Sequence, residues 1–153
     1  MQSDTLIKYI NVLNGKTGTL KCYGSRGYTD FQNNWLGWYG DDMEVVVDMG
    51  KLTGINEVRI SFLEDQRHWI FLPLEIKVST SEDGKNYRQA GTIINDYPEE
   101  NYKASVNDFK VILEEAVKTR YIKLRAANLK KLPIWRHYKG KRAWLFADEI
   151  MVL

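Results

Sequence analysis

The sequence predicts an all-β fold, either an antiparallel β-sandwich or a jelly roll, and three observations support this. Apolar residues recur at every second position in several short segments, which is the period of a strand with one buried face. Turn sequences that contain glycine separate these segments. The dominant period is therefore two rather than 3.6, and many short strands at this spacing are typical of sandwiches and jelly rolls.

Alternation of apolar and polar residues is clearest in five segments, which we predict as strands. They are residues 43–48, 58–62, 74–78, 122–126 and 144–152. Weaker signals place further strands near residues 17–23, 86–94 and 104–113. Most of these segments carry one polar face, as in antiparallel sheets that are wet on one side.

Two turn sequences and one ambiguous segment complete the pattern. Asp83-Gly84 favours a tight turn between two strands. Residues 50–54 begin and end with glycine, which predicts a break in the chain's regular structure. Residues 108–118 suit a helix, although their run of valine, isoleucine and leucine suits a strand equally well.

Length and composition indicate one globular domain over residues 1–153, expected to be a monomer. Hydrophobic residues make up 44% of the chain and charged residues 27%, which argues against disorder. The longest apolar run is residues 69–74, far short of the roughly 20 residues of a membrane helix, so no membrane insertion is predicted. The first ten residues lack a basic start followed by an apolar run, so no signal peptide is predicted. Cys22 is the only cysteine, which excludes an internal disulfide.

Charge is distributed unevenly along the chain. Residues 118–153 hold ten lysines and arginines and two acidic residues, a local charge of +8, whereas the whole chain carries +2. Such asymmetry can mark an anionic partner, but a solvated strand face followed by a basic loop explains it as well. Nucleic acid is suggested by charge alone and is not predicted as a partner.

Aromatic residues cluster in the predicted loops together with polar residues. Two of the clusters contain Trp69 and Trp135, each beside arginine and histidine. Such mixtures are the composition of a sugar site, because the apolar face of a pyranose packs on a ring while planar polar groups take its hydroxyls. The alternative is that each tryptophan plugs an end of the sandwich. We favour that structural role for Trp38 and Trp144, which are flanked by strand residues.

Catalytic and transition-metal motifs are weak. Adjacent acidic pairs on strands point to opposite faces, so they do not form a dyad by themselves, and no nucleophile–base pair can be assembled. We therefore predict no enzyme activity. His68 and His137 lack metal-ligand spacing. A hard cation has better support, since Asp30 and its neighbours place oxygens at alternate loop positions and Glu149 supplies a late acid.

Eight segments together resemble the discoidin, or coagulation factor 5/8 type C, domains. Within them the chain is similar to family 32 carbohydrate-binding modules and to the C-terminal domain of bacterial family 20 β-hexosaminidases. The segments that carry the resemblance are Tyr28-Thr29-Asp30 and residues 35–38, 43–50, 62–65, 69–73, 79–87, 119–124 and 141–150. The order and spacing of these segments make the resemblance specific over most of the chain.

The resemblance implies an eight-stranded antiparallel jelly-roll β-sandwich of the galactose-binding-domain type. It also implies a structural Ca²⁺, held by a carboxylate of Asp30, a backbone oxygen of Asp148 and a carboxylate of Glu149. Family members bind sugars through loops at one end of the sandwich.

We therefore predict a non-catalytic carbohydrate-binding module that targets a secreted bacterial glycoside hydrolase to glycans. Trp69 is the expected stacking platform. The predicted sugar-binding residues are Trp69, His68, Arg67 and Asp65 on one side and Trp135, Arg136, His137 and Tyr138 on the other. Expected partners are galactose or N-acetylhexosamine glycans and the parent catalytic domain, and the expected location is extracellular, periplasmic or at the bacterial cell surface. Two alternatives stay open: an accessory domain that packs on its parent without binding sugar, and a binder of anionic glycans or lipid surfaces.

Overall fold

A computed structural model of the chain describes residues 9–12, 35–138 and 140–153. Side chains are described for the last two ranges apart from Glu149. The strands are β1 (Tyr9–Val12), β2 (Leu36–Tyr39), β3 (Met43–Glu64), β4 (Glu75–Ser81), β5 (Arg88–Ile94), β6 (Ser105–Ala126) and β7 (Trp144–Val152). A single turn of 3-10 helix, Gln66–His68, follows β3.

Strands β3 and β6 are 22 residues each and pair with one another in an antiparallel sense along most of their length. Their pairing is interrupted between Asp48 and Thr53 and again between Ile55 and Glu57, where both strands bend. Gly50 lies in this bend with φ of 81°, a conformation that favours glycine. Each long strand therefore contributes to two layers of one curled sheet.

The two layers follow from the register of the pairs. In the first layer, β5, β4, the second half of β6, the first half of β3 and β1 lie side by side. In the second layer, β2, β7, the second half of β3 and the first half of β6 lie side by side. All of these pairings are antiparallel, which confirms the predicted jelly-roll sandwich. Four of the predicted strands are joined in pairs. Residues 43–48 and 58–62 are halves of β3, and residues 104–113 and 122–126 are halves of β6, so the described residues contain seven strands.

The core lies between the layers and is built from the inward positions of both. Alternate residues of β3, β4, β6 and β7 are buried, among them Val45, Val47, Ile60, Phe62, Ile76, Val78, Ile122, Leu124, Leu145 and Ala147. Trp38 is completely buried in the same core, as the structural interpretation predicted. Trp144 is partly buried on the outer face of β7, where its ring packs between Tyr39 at 4.8 Å and Phe146 at 5.5 Å.

One prediction about local structure was wrong, and one open alternative is settled by the structure. Residues 50–54 do not end a strand, because β3 continues through them as a bend. Residues 108–118 form part of β6 and not a helix, since pairing with β3 satisfies their backbone in extended form. The strand predicted near residues 17–23 lies outside the described residues.

Four connections gather at one end of the sandwich, which we call the loop end. They are residues 40–42, 65–74, 95–104 and 127–143. Strand partners place them together, since Met43 pairs with Ala126, Glu64 with Ser105 and Glu75 with Ile94. The opposite end, which we call the bend end, holds the bends of β3 and β6 and the β4–β5 turn. Among the described residues, no helix has the length and apolar character needed to cross a membrane.

Candidate functional site

Trp69 stands on a tight loop that leaves β3. The amide of Asp65 donates to the carbonyl of Ile70 and the amide of Ile70 donates to the carbonyl of Asp65, both at 3.0 Å, which closes the loop. Trp69 has φ of 67° and ψ of 24°, a left-handed conformation that costs a non-glycine residue about 1–3 kcal/mol. Its carbonyl accepts from the amide of Trp144 at 2.7 Å. The surrounding structure thus holds the indole in a fixed direction.

Residues 130–143, which we call the basic hairpin, form a small antiparallel excursion between β6 and β7. The amide of Leu132 donates to the carbonyl of Lys141, and the amide of Ala143 donates to that of Lys130. Leu132 and Ala143 are buried against Phe71. Trp69 and Trp135 pack on this same small cluster. The two predicted tryptophan loops therefore lie at the same end of the fold.

Aromatic rings from three of these connections meet at this end. We call the surface formed by Trp69, Tyr97, Trp135, His137 and Tyr138 the aromatic surface. The Trp69 and Tyr138 ring centroids are 5.8 Å apart, and those of His137 and Tyr138 are 4.6 Å apart. Tyr97, from residues 95–104, packs edge-on against Trp135 at 6.3 Å. Both indoles are partly buried, while Tyr97 and Tyr138 are exposed. Neither tryptophan is sunk in the main core.

Gln66 connects the parts of this surface from below. Its side chain is completely buried. Its amide nitrogen donates to the carbonyl of Glu99 at 2.8 Å, and its amide oxygen accepts from the Asn101 amide at 3.2 Å and from the Trp135 indole at 3.3 Å. Sequence reasoning missed Gln66, because a polar residue between charged neighbours gives no sign of burial. It also missed Tyr97, although an aromatic residue in a polar loop was a usable signal.

Polar residues surround the aromatic surface, and their exposure differs. His68 is half exposed, and its Nδ1 lies 2.8 Å from the buried carboxylate of Asp65. Asp65 is thus placed to orient His68 rather than to face solvent. Arg67 is exposed, and the Arg136 guanidinium lies 5.6 Å from the centre of the Tyr102 ring. Burial raises the pKa of Glu64 at the end of β3, while a hydrogen bond from Gln66 opposes this rise.

The predicted calcium ligands are only partly described. Asp30 lies outside the described residues, and of Glu149 only the backbone in β7 is described. Asp148 is buried in β7 opposite Ser61. Within the described ranges, no three His, Cys, Asp or Glu side chains form a metal-binding group. The calcium site therefore stays a prediction.

Comparison with known proteins identifies the relatives of this fold. The family model of the F5/8 type C domain matches residues 9–144. Among solved structures, the chain is similar to CpGH89CBM32-6 produced by Clostridium perfringens, at 14% identity and a TM-score of 0.59, covering 99% of this chain and 98% of that one. It is also similar to CpGH89CBM32-5 from Clostridium perfringens in complex with GalNAc-β-1,3-galactose, at 17% identity and a TM-score of 0.57, covering 99% of both chains.

A third similar structure is the C-terminal domain of a chitobiase from Bacteroides fragilis. The identity is 15% and the TM-score 0.50, covering 99% of this chain and 97% of that one. At such identities the likeness concerns the fold. No curated protein matches the chain.

Proposed function

The chain belongs to the F5/8 type C domain family, and from this premise we propose that it is a non-catalytic carbohydrate-binding module. The observation that carries the proposal is the meeting of the Trp69 and Trp135 loops at one end of the sandwich, around a shared cluster. Rings at such a surface offer apolar faces to the C–H groups of a pyranose. The polar groups around them, His68 and Arg67 among them, offer hydrogen bonds to its hydroxyls.

Pre-organisation supports binding at this surface. The left-handed Trp69 backbone and the Trp135–Gln66 hydrogen bond hold both indoles before any ligand arrives. Binding then loses little free energy to the ordering of side chains, which usually consumes part of the interaction energy. Because water competes for the few contacts that an exposed sugar makes, we expect dissociation constants in the millimolar to high micromolar range.

The ligand we propose is a galactose or N-acetylhexosamine glycan, and the setting is a secreted bacterial glycoside hydrolase that the module tethers to its substrate. Tethering raises the effective substrate concentration for the enzyme. The Clostridium perfringens relative in complex with GalNAc-β-1,3-galactose supports this ligand class. The chitobiase domain from Bacteroides fragilis supports a β-hexosaminidase-type parent.

Isothermal titration with galactose, N-acetylgalactosamine, N-acetylglucosamine and GalNAc-β-1,3-galactose tests the proposal. We expect at least one to bind and Trp69→Ala to weaken its binding by about tenfold, since a stacked ring contributes about 1–2 kcal/mol. Tyr87→Ala is the matched control, because Tyr87 is a partly buried ring at the bend end, beneath Lys123. Equal affinity of the wild type and Trp69→Ala would remove Trp69 from the site.

A second candidate function is docking onto the parent catalytic domain without sugar binding. Ile134 at the tip of the basic hairpin favours it, since this side chain is 86% exposed beside Trp135. Exposed apolar groups of this kind are common at domain interfaces when they extend into a patch. A glycan array without signal, together with an Ile134→Ser variant that loses association with the parent domain, would support docking instead.

We also propose the structural Ca²⁺ implied by the family resemblance, near Asp148 and Glu149 on β7. The ligands implied by the resemblance are a carboxylate of Asp30, a backbone oxygen of Asp148 and a carboxylate of Glu149, all hard oxygen donors of the kind that calcium prefers. Binding to the folded state alone raises the melting temperature by mass action. We expect a higher melting temperature in excess Ca²⁺ than in chelator. Identical melting curves in the two buffers would exclude the ion.

A further inference from the structure

Arg136, at the tip of the basic hairpin, is a partly buried cation that lacks a negative partner among the described residues. Its guanidinium stacks on Tyr102, and its Nε is buried with no hydrogen-bond partner in that part of the chain. Within the same ranges it makes no ion pair. Removing a cation from water is costly unless a negative group compensates. At the aromatic surface, the described part of the chain provides no such group to Arg136.

Lys131 and Arg142 face each other across the basic hairpin. The hydrogen bonds of Leu132 and Ala143 flank them on either side, which makes them a narrow, non-hydrogen-bonded pair of the antiparallel ladder. Side chains in such a pair are the closest cross-strand neighbours, and like charges there are destabilising. Both side chains are exposed, and neither makes an ion pair with a residue in the described ranges.

Acidic residues near the hairpin are engaged elsewhere or point into solvent. The Asp42 carboxylate accepts hydrogen bonds from Arg125 and from the Asn128 amide, and it lies 3.9 Å from the Nζ of Lys130. Glu100 accepts from the Tyr102 hydroxyl at 2.6 Å. Asp65 is buried and lies 2.8 Å from His68. Among the residues that the structure describes, the remaining acids of the loop end are exposed and contribute no ion pair to these three cations. They are Asp41, Asp96 and Glu99.

Several cations on the faces of the sandwich have carboxylate partners, unlike those of the hairpin. Arg120 makes two hydrogen bonds to Asp48, at 2.9 and 3.1 Å. Lys110 lies 3.1 Å from Glu57, which also receives Arg59 at 2.9 Å. At the basic hairpin, in contrast, four cations make no ion pair with any described residue, next to the proposed sugar site: Lys131, Arg136, Lys141 and Arg142.

We propose that the loop end binds a saccharide chain bearing carboxylate or sulfate groups, whose charges meet Arg136 and the Lys131–Arg142 pair. This inference rests on the proposed function and specifies the class of saccharide that the same end of the fold binds. The charged pair lies on the hairpin face opposite Leu132 and Ala143, because neighbouring residues of a strand point to opposite faces. Arg136 lies at the tip. The ligand is therefore an oligosaccharide with several charged units that crosses the hairpin, rather than one acidic sugar.

Binding of three oligosaccharides of equal length tests this: an oligogalacturonate with carboxylates only, a carrageenan oligosaccharide with sulfates only, and a neutral chitooligosaccharide. We expect one of the charged probes to bind about tenfold tighter than the neutral one and to lose most of that advantage between about 50 and about 300 mM NaCl, since exposed charges are screened. The Lys131→Gln/Arg142→Gln double variant and Arg136→Gln should each lower affinity for the charged probe by about fivefold or more. Neutral binding should change less than about twofold in the double variant.

Lys85→Gln/Lys118→Gln is the matched control, because both lysines are exposed at the bend end and make no ion pair with other described residues. It should bind the charged probe within about twofold of wild type. Equal binding of charged and neutral probes, an equal loss in the control, or binding only to phosphatidylserine vesicles would overturn the inference. Neutral binding that depends on Trp69 would meanwhile uphold the proposed function, so the two can fail separately.

Discussion

The loop end of the sandwich and the β4–β5 turn at its bend end are held together by different kinds of hydrogen bond. At the bend end, one Asp83 carboxylate oxygen accepts from the Lys85 and Asn86 amides and the Ser81 hydroxyl, all within three residues along the chain. These bonds hold the pKa of Asp83 far below its usual range. At the loop end, buried amides of Gln66 and Asn128 reach across tens of residues. The β4–β5 turn is formed by local contacts, whereas the loop end exists only in the assembled fold.

The difference bears on function. A turn whose hydrogen bonds are local keeps its conformation independently of the other connections, and its surface is built from one connection only. The loop end combines side chains from three connections, and Gln66 couples two of them to the loop of Trp69. Catalytic and binding surfaces are commonly built on loops that a rigid scaffold positions. We infer that Gln66 gives such rigidity to an otherwise irregular end.

The largest expected effect comes from Gln66→Ala, which breaks this connection. Three hydrogen bonds are lost and the Trp135 indole is left without its acceptor, so we expect a loss of about 1–3 kcal/mol in the free energy of unfolding. Freeing the indole should also weaken glycan binding by about three- to tenfold. Chemical denaturation and isothermal titration measure the two effects.

An NMR signal separates positioning by Gln66 from general destabilisation. In Gln66→Ala the indole N–H resonance of Trp135 should move, whereas in Gln89→Ala, which removes an exposed amide of β5, it should stay in place. If the Trp135 resonance moves and glycan affinity stays at the wild-type value, Gln66 serves stability alone.

The sandwich itself was predictable from the sequence to a large extent. Segment 144–152 coincides with β7, and the alternating residues of 43–48 and 58–62 form the core face of β3. The bend between those two segments was not predictable, because a glycine such as Gly50 is equally consistent with the end of a strand and with a bend inside one. Pairing with β6, more than sixty residues away, resumes on both sides of this bend and so continues the strand past it.

The candidate site was predictable in its composition but not in its internal roles. The mixture of aromatic and polar residues in two loops was enough to indicate Trp69 and Trp135. The partners beneath them depend on burial, which only the assembled fold decides. In the fold, the carboxylate of Asp65 is buried and supports His68, and Gln66, which lies between two charged residues in the sequence, is completely buried.

A smaller effect, confined to stability, is expected from Gly84→Ala at the bend end. Gly84 has φ of 75°, and an added Cβ would lie 3.2 Å from the Tyr121 ring. The left-handed backbone costs alanine about 1–2 kcal/mol, which should appear in the free energy of unfolding. Gly54→Ala is the matched control, since its Cβ would meet no atom within 4 Å. Because both glycines lie at the bend end, remote from the aromatic surface, glycan affinity should match the wild type in both variants. A loss of affinity in Gly84→Ala alone would show that the two ends are coupled through the sheet.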